Sequence, residues 1–303
     1  MLNTGLRLGL CCQFALEPIK FRTTTATAML RLSDTERLLR LADLCRHNAE
    51  ALGVALDACA RLWIGAFRIN SQILPVKTHP AAGYAIRELP GWEQIVERFV
   101  ESGRRAAALG IRLSFHPDQF VVLNSPNAST HGHSVAELEY HSEVAEWVGA
   151  DVINIHGGGA YGDKGSALSL LCERLAGLPN RVRDRLTLEN DDKVFTPSDL
   201  LPVCRDTGLP LVYDVHHHRC NPDGLSIAEA TALARATWNR EPLFHISSPR
   251  DGWDGPKPER HHDFIEASDF PPEWLGWPLT VDVEAKAKEL AVGRLKRDLS
   301  ALF

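Results

Sequence analysis

Short apolar runs alternate with longer amphipathic stretches along the whole chain. Eight of the runs read as strands: Leu6–Leu10, Ala66–Ile69, Arg112–Phe115, Val152–Ile155, Leu186–Leu188, Leu211–Tyr213, Leu243–Ile246 and Leu279–Val283. Near-continuous apolar runs of this length suit strands buried on both faces of a parallel sheet. Helix signals fall between most of them. Ser33 with Glu36 forms a capping-box pattern before a helical stretch to about Leu52. Thr196 followed by Pro197 reads as an N-cap with proline in the first turn, and Gly208 as the stop. Ser226 with Glu229 opens another helix. Eight such alternations predict one α/β domain over residues 1–303, closed as a TIM (β/α)8 barrel. An open doubly wound sheet is the structural competitor. No GxGxxG or Walker pattern follows a strand, which argues against it.

Composition narrows the picture. With 303 residues, 44% of them hydrophobic, the chain has a core large enough for a single barrel. The net charge of −6 argues against a protein that grips nucleic acid through a general basic surplus. It leaves open a site where bound cations supply the positive charge locally. The seven cysteines, an odd number without a CxxC pair, read as reduced thiols of a cytoplasmic protein. Cys11 and Cys12 are expected to be buried, inert thiols. No apolar run approaches the ~20 residues of a membrane span. The apolar start around Leu6–Leu16 is broken by Arg7 and Gln13 and lacks a basic leader, so no signal peptide is expected.

The candidate chemistry lies at the strand ends. The third strand ends in Phe115-His116 and the fourth in Asn154-Ile155-His156, followed by Gly157-Gly158-Gly159. The fifth leads into Glu189-Asn190-Asp191, the sixth into Asp214, the seventh carries His245, and the eighth ends at Glu284. Barrel active sites lie at the C-terminal strand ends, so six successive strands deliver His, His, Glu, Asp, His and Glu to one rim. His79, after the second strand, is placed to join them. Clustered carboxylates repel and are costly to desolvate, and divalent cations resolve both problems. Mixed imidazole and carboxylate ligands suit Mn, Zn or Fe better than Ca or Mg. If the segment Asp214–His218 is extended, Asp214, His216 and His218 share a face and His217 points elsewhere; a local turn would change that. His261 and His262 fall in a Pro/Gly/Trp-rich loop between the last two strands.

Several multi-residue motifs, taken together, resemble the UV damage endonuclease family, relatives of endonuclease IV. They are Phe67-Arg68-Ile69-Asn70 with Thr78-His79-Pro80, Leu113-Ser114-Phe115-His116-Pro117 with Gln119, and Asn154-Ile155-His156-Gly157-Gly158-Gly159-Ala160-Tyr161-Gly162. Leu188-Glu189-Asn190-Asp191, Asp214-Val215-His216-His217-His218 with Asn221-Pro222, and Val283-Glu284-Ala285-Lys286 complete the set, from about residue 6 to residue 290. The resemblance implies a TIM barrel with up to three metal ions, often manganese. It implies hydrolysis of the phosphodiester 5′ to UV photoproducts in double-stranded DNA, in some members at abasic sites too. A monomer without membrane attachment is expected. Carried over by motif, His116, His156, Glu189, Asp214, His245 and Glu284 match the core metal ligands. His217 and His262 match the ligands of a third metal, and His79 a further site histidine. Gln119 and Phe120 match the pair that probes the lesion. Glu189 is thereby expected to bridge two metals, and no protein nucleophile is needed.

Three positions depart from the family pattern. Leu10 and Phe14 stand where a tyrosine and an asparagine are common, and Leu243 where many relatives carry a lysine. These changes bear on lesion choice and metal tuning. The Thr-rich stretch from Lys20 to about Met29 receives no role from the pattern. A xylose-isomerase-like sugar isomerase or epimerase is the competing enzyme reading, and the extra histidines and the Gln119-Phe120 pair argue against it. A non-catalytic DNA- or metal-binding protein is the third reading; the completeness of the ligand set argues against that.

Overall fold

Eight parallel strands form the barrel in a computed structural model that describes residues 5–301. They are β1 (Leu6–Cys11), β2 (Ala66–Ile69), β3 (Arg112–Phe115), β4 (Val152–His156), β5 (Leu186–Glu189), β6 (Leu211–Val212), β7 (Leu243–Ile246) and β8 (Leu279–Val283). The ladder runs β6-β5-β4-β3-β2-β1-β8-β7. The seam between β6 and β7 is narrow. An isolated parallel bridge joins Asp214 to His245, and the His245 amide donates to the Tyr213 carbonyl at 3.0 Å.

The helices follow the local signals. The Ser33–Glu36 capping box starts the helix Asp34–Arg61, which runs past the expected end near Leu52. It continues because Ala55, Leu56, Ala58 and Cys59 keep a buried stripe against the barrel. Thr196 caps Pro197–Thr207, and Gly208 ends it in the left-handed conformation, φ +73°. Ser226 and Glu229 cap Ile227–Arg235 as expected.

Strand alternation sorts the side chains into two sets. Leu8, Leu10, Phe67, Ile69, Phe115, Ile153, Leu188, Phe244 and Val281 point outward into the core shared with the helices. The inward set is polar for a barrel. At the N-terminal end Arg7 pairs with Glu241 at 3.0 Å and Arg112 with Asp151 at 2.7 Å. Arg112 also donates to Thr280 Oγ1 at 3.2 Å, and that hydroxyl donates to Glu241 at 2.6 Å. Above this floor sits a small apolar group, Val152, Val212 and Leu243. Asn154, Thr187 and Asp282, all buried, come next, and the rim residues follow.

Two of the three departures from the family pattern have structural homes away from the rim chemistry. Leu10 is fully buried in the outer core, and Phe14 stacks on Phe67 with ring centroids 5.9 Å apart. Leu243 lies on the inward face one pleat below His245. The Thr-rich stretch is tied down by buried Asn48, which accepts from the Arg22 amide and donates to the Arg22 carbonyl. Thr25 caps the one-turn helix Ala26–Met29.

Candidate metal centre

Six strand ends contribute, and their side chains meet. His116 follows β3, His156 and Glu189 end β4 and β5, Asp214 lies just past β6, His245 lies within β7, and Glu284 follows β8. Three overlapping groups have ligand atoms mutually within 4.8 Å: His116, His156 and Glu189; Glu189, Asp214 and His217; Asp214, His245 and Glu284.

Glu189 links the first group to the second, and Asp214 links the second to the third. Glu189 is fully buried, and its two oxygens face different neighbours. Oε2 lies 2.9 Å from His116 Nε2 and accepts a hydrogen bond from the Asn154 amide. Oε1 lies 3.2 Å from His245 Nδ1 and 3.3 Å from His217 Nδ1. Burial alone would raise this carboxyl; the imidazoles of His245, His156 and His116 outweigh burial and hold it well below the usual carboxylate range. Glu284 behaves alike: burial raises it, and Arg68, 2.5 Å away, with His245 pulls it well below.

The imidazoles answer in the opposite sense. Burial lowers His245, but Glu189 and Glu284 drive it up to about 9. Burial also opposes the charge on His217, and Asp214 with Glu189 raises it well above the ordinary value. His156 goes down, because burial outweighs Glu189 there. The lowered Glu189 and Glu284 are thus balanced by protons favoured on His245 and His217. Divalent cations fit the same place, since these donor types form such sites at neutral pH. The orphaned atoms agree. His156 Nδ1 and Asp214 Oδ2 are buried and have no hydrogen-bond partner among the described residues. His116 is prepared as well: its Nδ1 donates to the Pro117 carbonyl at 3.0 Å, which leaves Nε2 on the Glu189 side as the ligand atom.

The segment after β6 is not extended. Asp214 caps the short helix Val215–Cys220 and accepts from the His217 amide at 2.8 Å. The helical turn brings His217, three residues on, beside the Asp214 carboxylate at 3.4 Å. Asp214 and His217 therefore face the centre together, whereas the extended reading grouped Asp214 with His216 and His218. His218 instead bonds Tyr213 at 2.7 Å and Asp223 at 3.0 Å. Asn190 locks the corner: it donates to the Asp214 carbonyl and accepts from the Asp214 amide.

Two expected histidines lie apart from the three groups. His79 Nδ1 accepts from the amides of Ala81 and Ala82 within its own turn. His262 Nδ1 accepts from the Phe264 amide at 3.0 Å. Its neighbour His261 is the one that approaches the centre, with Nδ1 3.8 Å from Glu284 Oε2 and its ring 5.3 Å from that of His216. The bridge from His261 to Pro249 fixes which histidine turns inward. Nothing in two adjacent histidines on a loop could have told them apart. Cys11 is buried and burial pushes its thiol well up, which agrees with an inert role; Cys12, expected to be buried as well, is only half-buried.

Cavities flank the centre. One of about 490 Å³ is bordered by Gln119, His156, Tyr161, Lys193 and His217. Phe120, 77% exposed, stands on the neighbouring rim loop and also borders a second cavity with His79 and Thr25. Its ring is not packed under the loop; Val121 is the buried neighbour. A third cavity, about 570 Å³, is lined by Arg68, Arg250, Arg260, His261, Lys286 and Lys288 beside Glu284. The rim is thus locally basic in a chain of net charge −6. Tyr161 entered the sequence reading only as part of a motif, without a role of its own, and Lys193 was not marked at all. Among the described residues, no helix is long and apolar enough to cross a membrane.

Residues 6–302 match the family described as UV-endonuclease UvdE. The UV DNA damage endonuclease of Deinococcus radiodurans is 34% identical over 300 residues, which cover 96% of this chain and 94% of that protein. The crystal structure of SacUVDE superimposes with a TM-score of 0.87 at 28% identity, covering 98% of this chain and 99% of that one. Endonuclease IV from Thermus thermophilus shares the fold, with a TM-score of 0.59 at 19% identity over 97% of this chain and 98% of that one.

Proposed function

As the chain belongs to the UV-endonuclease UvdE family, we propose that it is a metal-dependent endonuclease that hydrolyses the phosphodiester on the 5′ side of UV photoproducts in duplex DNA. The observation that carries this reading is the set of three ligand groups overlapping at Glu189, Asp214 and their neighbours. Two to three divalent ions, manganese foremost, would be held by His116, His156, Glu189, Asp214, His217, His245 and Glu284. His261 takes the part expected of His262 at the outermost ion, because it is the one beside Glu284. When bound, such ions lower the pKa of water, polarise phosphoryl oxygens and offset charge on a leaving oxygen.

The chain's own residues do the rest. Glu189 spans the centre with one oxygen toward His116 and the other toward His245 and His217. Asn154 holds that carboxylate from below. Gly158, at φ +89°, sits where a Cβ would collide with Asn124 Oδ1, so only glycine lets this turn fold close beside His156. The basic cavity beside Glu284 suits the phosphates of a strand entering the rim. Phe120 offers an exposed ring for a base displaced from the helix, and Gln119 an amide for its edge. A photoproduct weakens stacking and pairing, which lowers the cost of that displacement.

The test is a nicking assay on supercoiled plasmid, irradiated or not, with Mn²⁺ and with or without chelator. The expected result is nicked circles from irradiated plasmid alone, abolished by chelator, with the breaks mapped to the 5′ side of dipyrimidines. Equal nicking of both plasmids, or nicking that survives the chelator, would refute the reading.

A further inference from the structure

The barrel interior holds a carboxylate that the centre leaves unused. Asp282, on β8, is fully buried, and neither of its oxygens has a hydrogen-bond partner among the described residues. An unpaired buried carboxylate is costly, so its place calls for a reason. The fold makes room for it: Gly9 on β1 pairs with Asp282, and a Cβ at Gly9 would collide with Asp282 Oδ1.

On the other side of Asp282 stands His245, its partner in the β7–β8 ladder. The imidazole of His245 has two distinct edges. Nδ1 lies 3.2 Å from Glu189 Oε1 and 3.3 Å from Glu284 Oε1. Nε2 lies on the Asp282 side, 3.8 Å from Oδ2, and it too is buried without a partner. The ring is therefore interposed between the candidate ligand group and the orphan carboxylate. The nearby buried cation, Arg68, is directed at Glu284 instead.

We propose that Asp282 is a positioning residue: it accepts the Nε2–H of His245 and so fixes the tautomer whose Nδ1 lone pair faces the cation shared with Asp214 and Glu284. The proposal rests on the metal-centre reading above. A ligating histidine commonly donates its second ring N–H to a carboxylate, which orients the ring and raises its basicity. At 3.8 Å the pair is about 0.6 Å beyond the usual hydrogen-bond range, a gap within reach of a small side-chain adjustment. The arrangement also gives Gly9 a purpose, since any larger residue would displace the carboxylate.

Metal-free wild type, Asp282→Leu and Asp282→Asn are titrated with Mn²⁺ alone, without DNA, so that nuclease activity does not enter. Asp282→Leu is expected to weaken one cation equivalent by about 10- to 100-fold and to spare the rest. Asp282→Asn keeps the shape without the charge and weakens the same equivalent by a smaller factor. Metal-free Asp282→Leu should remain folded, with a melting point that circular dichroism can compare with wild type. In ¹⁵N spectra of the Zn²⁺-loaded wild type, His245 should show its proton on Nε2. Unchanged Mn²⁺ binding in both variants overturns the proposal, as does equal weakening of every equivalent together with a lower melting point. If Asp282→Leu does not fold, unchanged binding by Asp282→Asn overturns it. A wild type that binds no Mn²⁺ at all fails the metal-centre reading itself, and this proposal with it.

Discussion

Asn154 on β4 reaches diagonally to Glu189 on β5, two positions beyond its register partner Thr187, and its amide donates to the same Glu189 oxygen that His116 approaches at 2.9 Å. The relationship separates two kinds of damage to the centre. Glu189→Gln removes the charge that both sides share and should cost several orders of magnitude in nicking. Asn154→Ala leaves the charge and removes only its support, which should cost about 10- to 100-fold in activity or metal affinity. Both proteins should fold, as circular dichroism would report. A folded Glu189→Gln protein that nicks at near-normal rate would remove this carboxylate from the reaction.

Metal content gives the second expectation. Purified, reconstituted protein should carry at least two divalent ions, and three when loading is complete. His261→Ala should lose one equivalent, whereas His262→Ala should keep all of them, because only His261 reaches Glu284. Elemental analysis decides. No more than one equivalent in the reconstituted wild type would contradict the overlapping groups.

The pH dependence of loading follows from His245. Its pKa in the metal-free site is driven up to about 9, so the ring is protonated at pH 7.5 and must release that proton to ligate. Cation affinity should therefore rise with pH until about 9, by about tenfold per unit for each proton released. The fold responds in the reverse direction. The raised pKa stabilises metal-free protein fully below the unfolded value of about 6.5, and this contribution is lost as pH rises through the folded value. Calorimetric titration with Mn²⁺ in two buffers of different ionisation enthalpy measures the protons. No release at pH 7.5 would count against His245 as a ligand.

Strand ends are legible in the sequence because alternation is local: a side chain's face follows from its neighbours in one run. His116, His156, Glu189, Asp214, His245 and Glu284 stand out for that reason. What escapes depends on partners far along the chain. The helical turn after Asp214 is set by a cap, and the choice of His261 over His262 by a bridge to Pro249. Asp282 reads as an interruption in an apolar strand until Gly9, from the other end of the chain, is seen beside it. The local pattern ends the first long helix near Leu52, just before Gly53, although buried alanines carry its stripe onward.

Lesion recognition should divide from general DNA contact. Gln119→Ala with Phe120→Ala should weaken binding to UV-damaged duplex more than to intact duplex, by the roughly 1–3 kcal/mol of one stacked base. Metal content should be unchanged. Paired titrations at one fixed salt concentration test it; equal losses on both duplexes would assign the pair to general contact.

Charge removal in the basic cavity should act on both duplexes alike. Arg250→Gln and Lys286→Gln should each lower the slope of log affinity against log salt by about 0.9 per lost phosphate contact. An unchanged slope would place the DNA backbone elsewhere on the rim.

The ionic floor of the barrel has a kinetic corollary. Arg7, Glu241, Arg112 and Thr280 seal the end opposite the centre, and buried Leu243, Val152 and Val212 lie above them. Ions and water are then expected to exchange through the mouth, the same opening that a nucleic acid would cover. A chelator added before the substrate should strip the protein quickly. Added after docking, it must wait for the duplex to leave, so the dissociation rate of DNA sets the pace at which the loaded enzyme surrenders its metal.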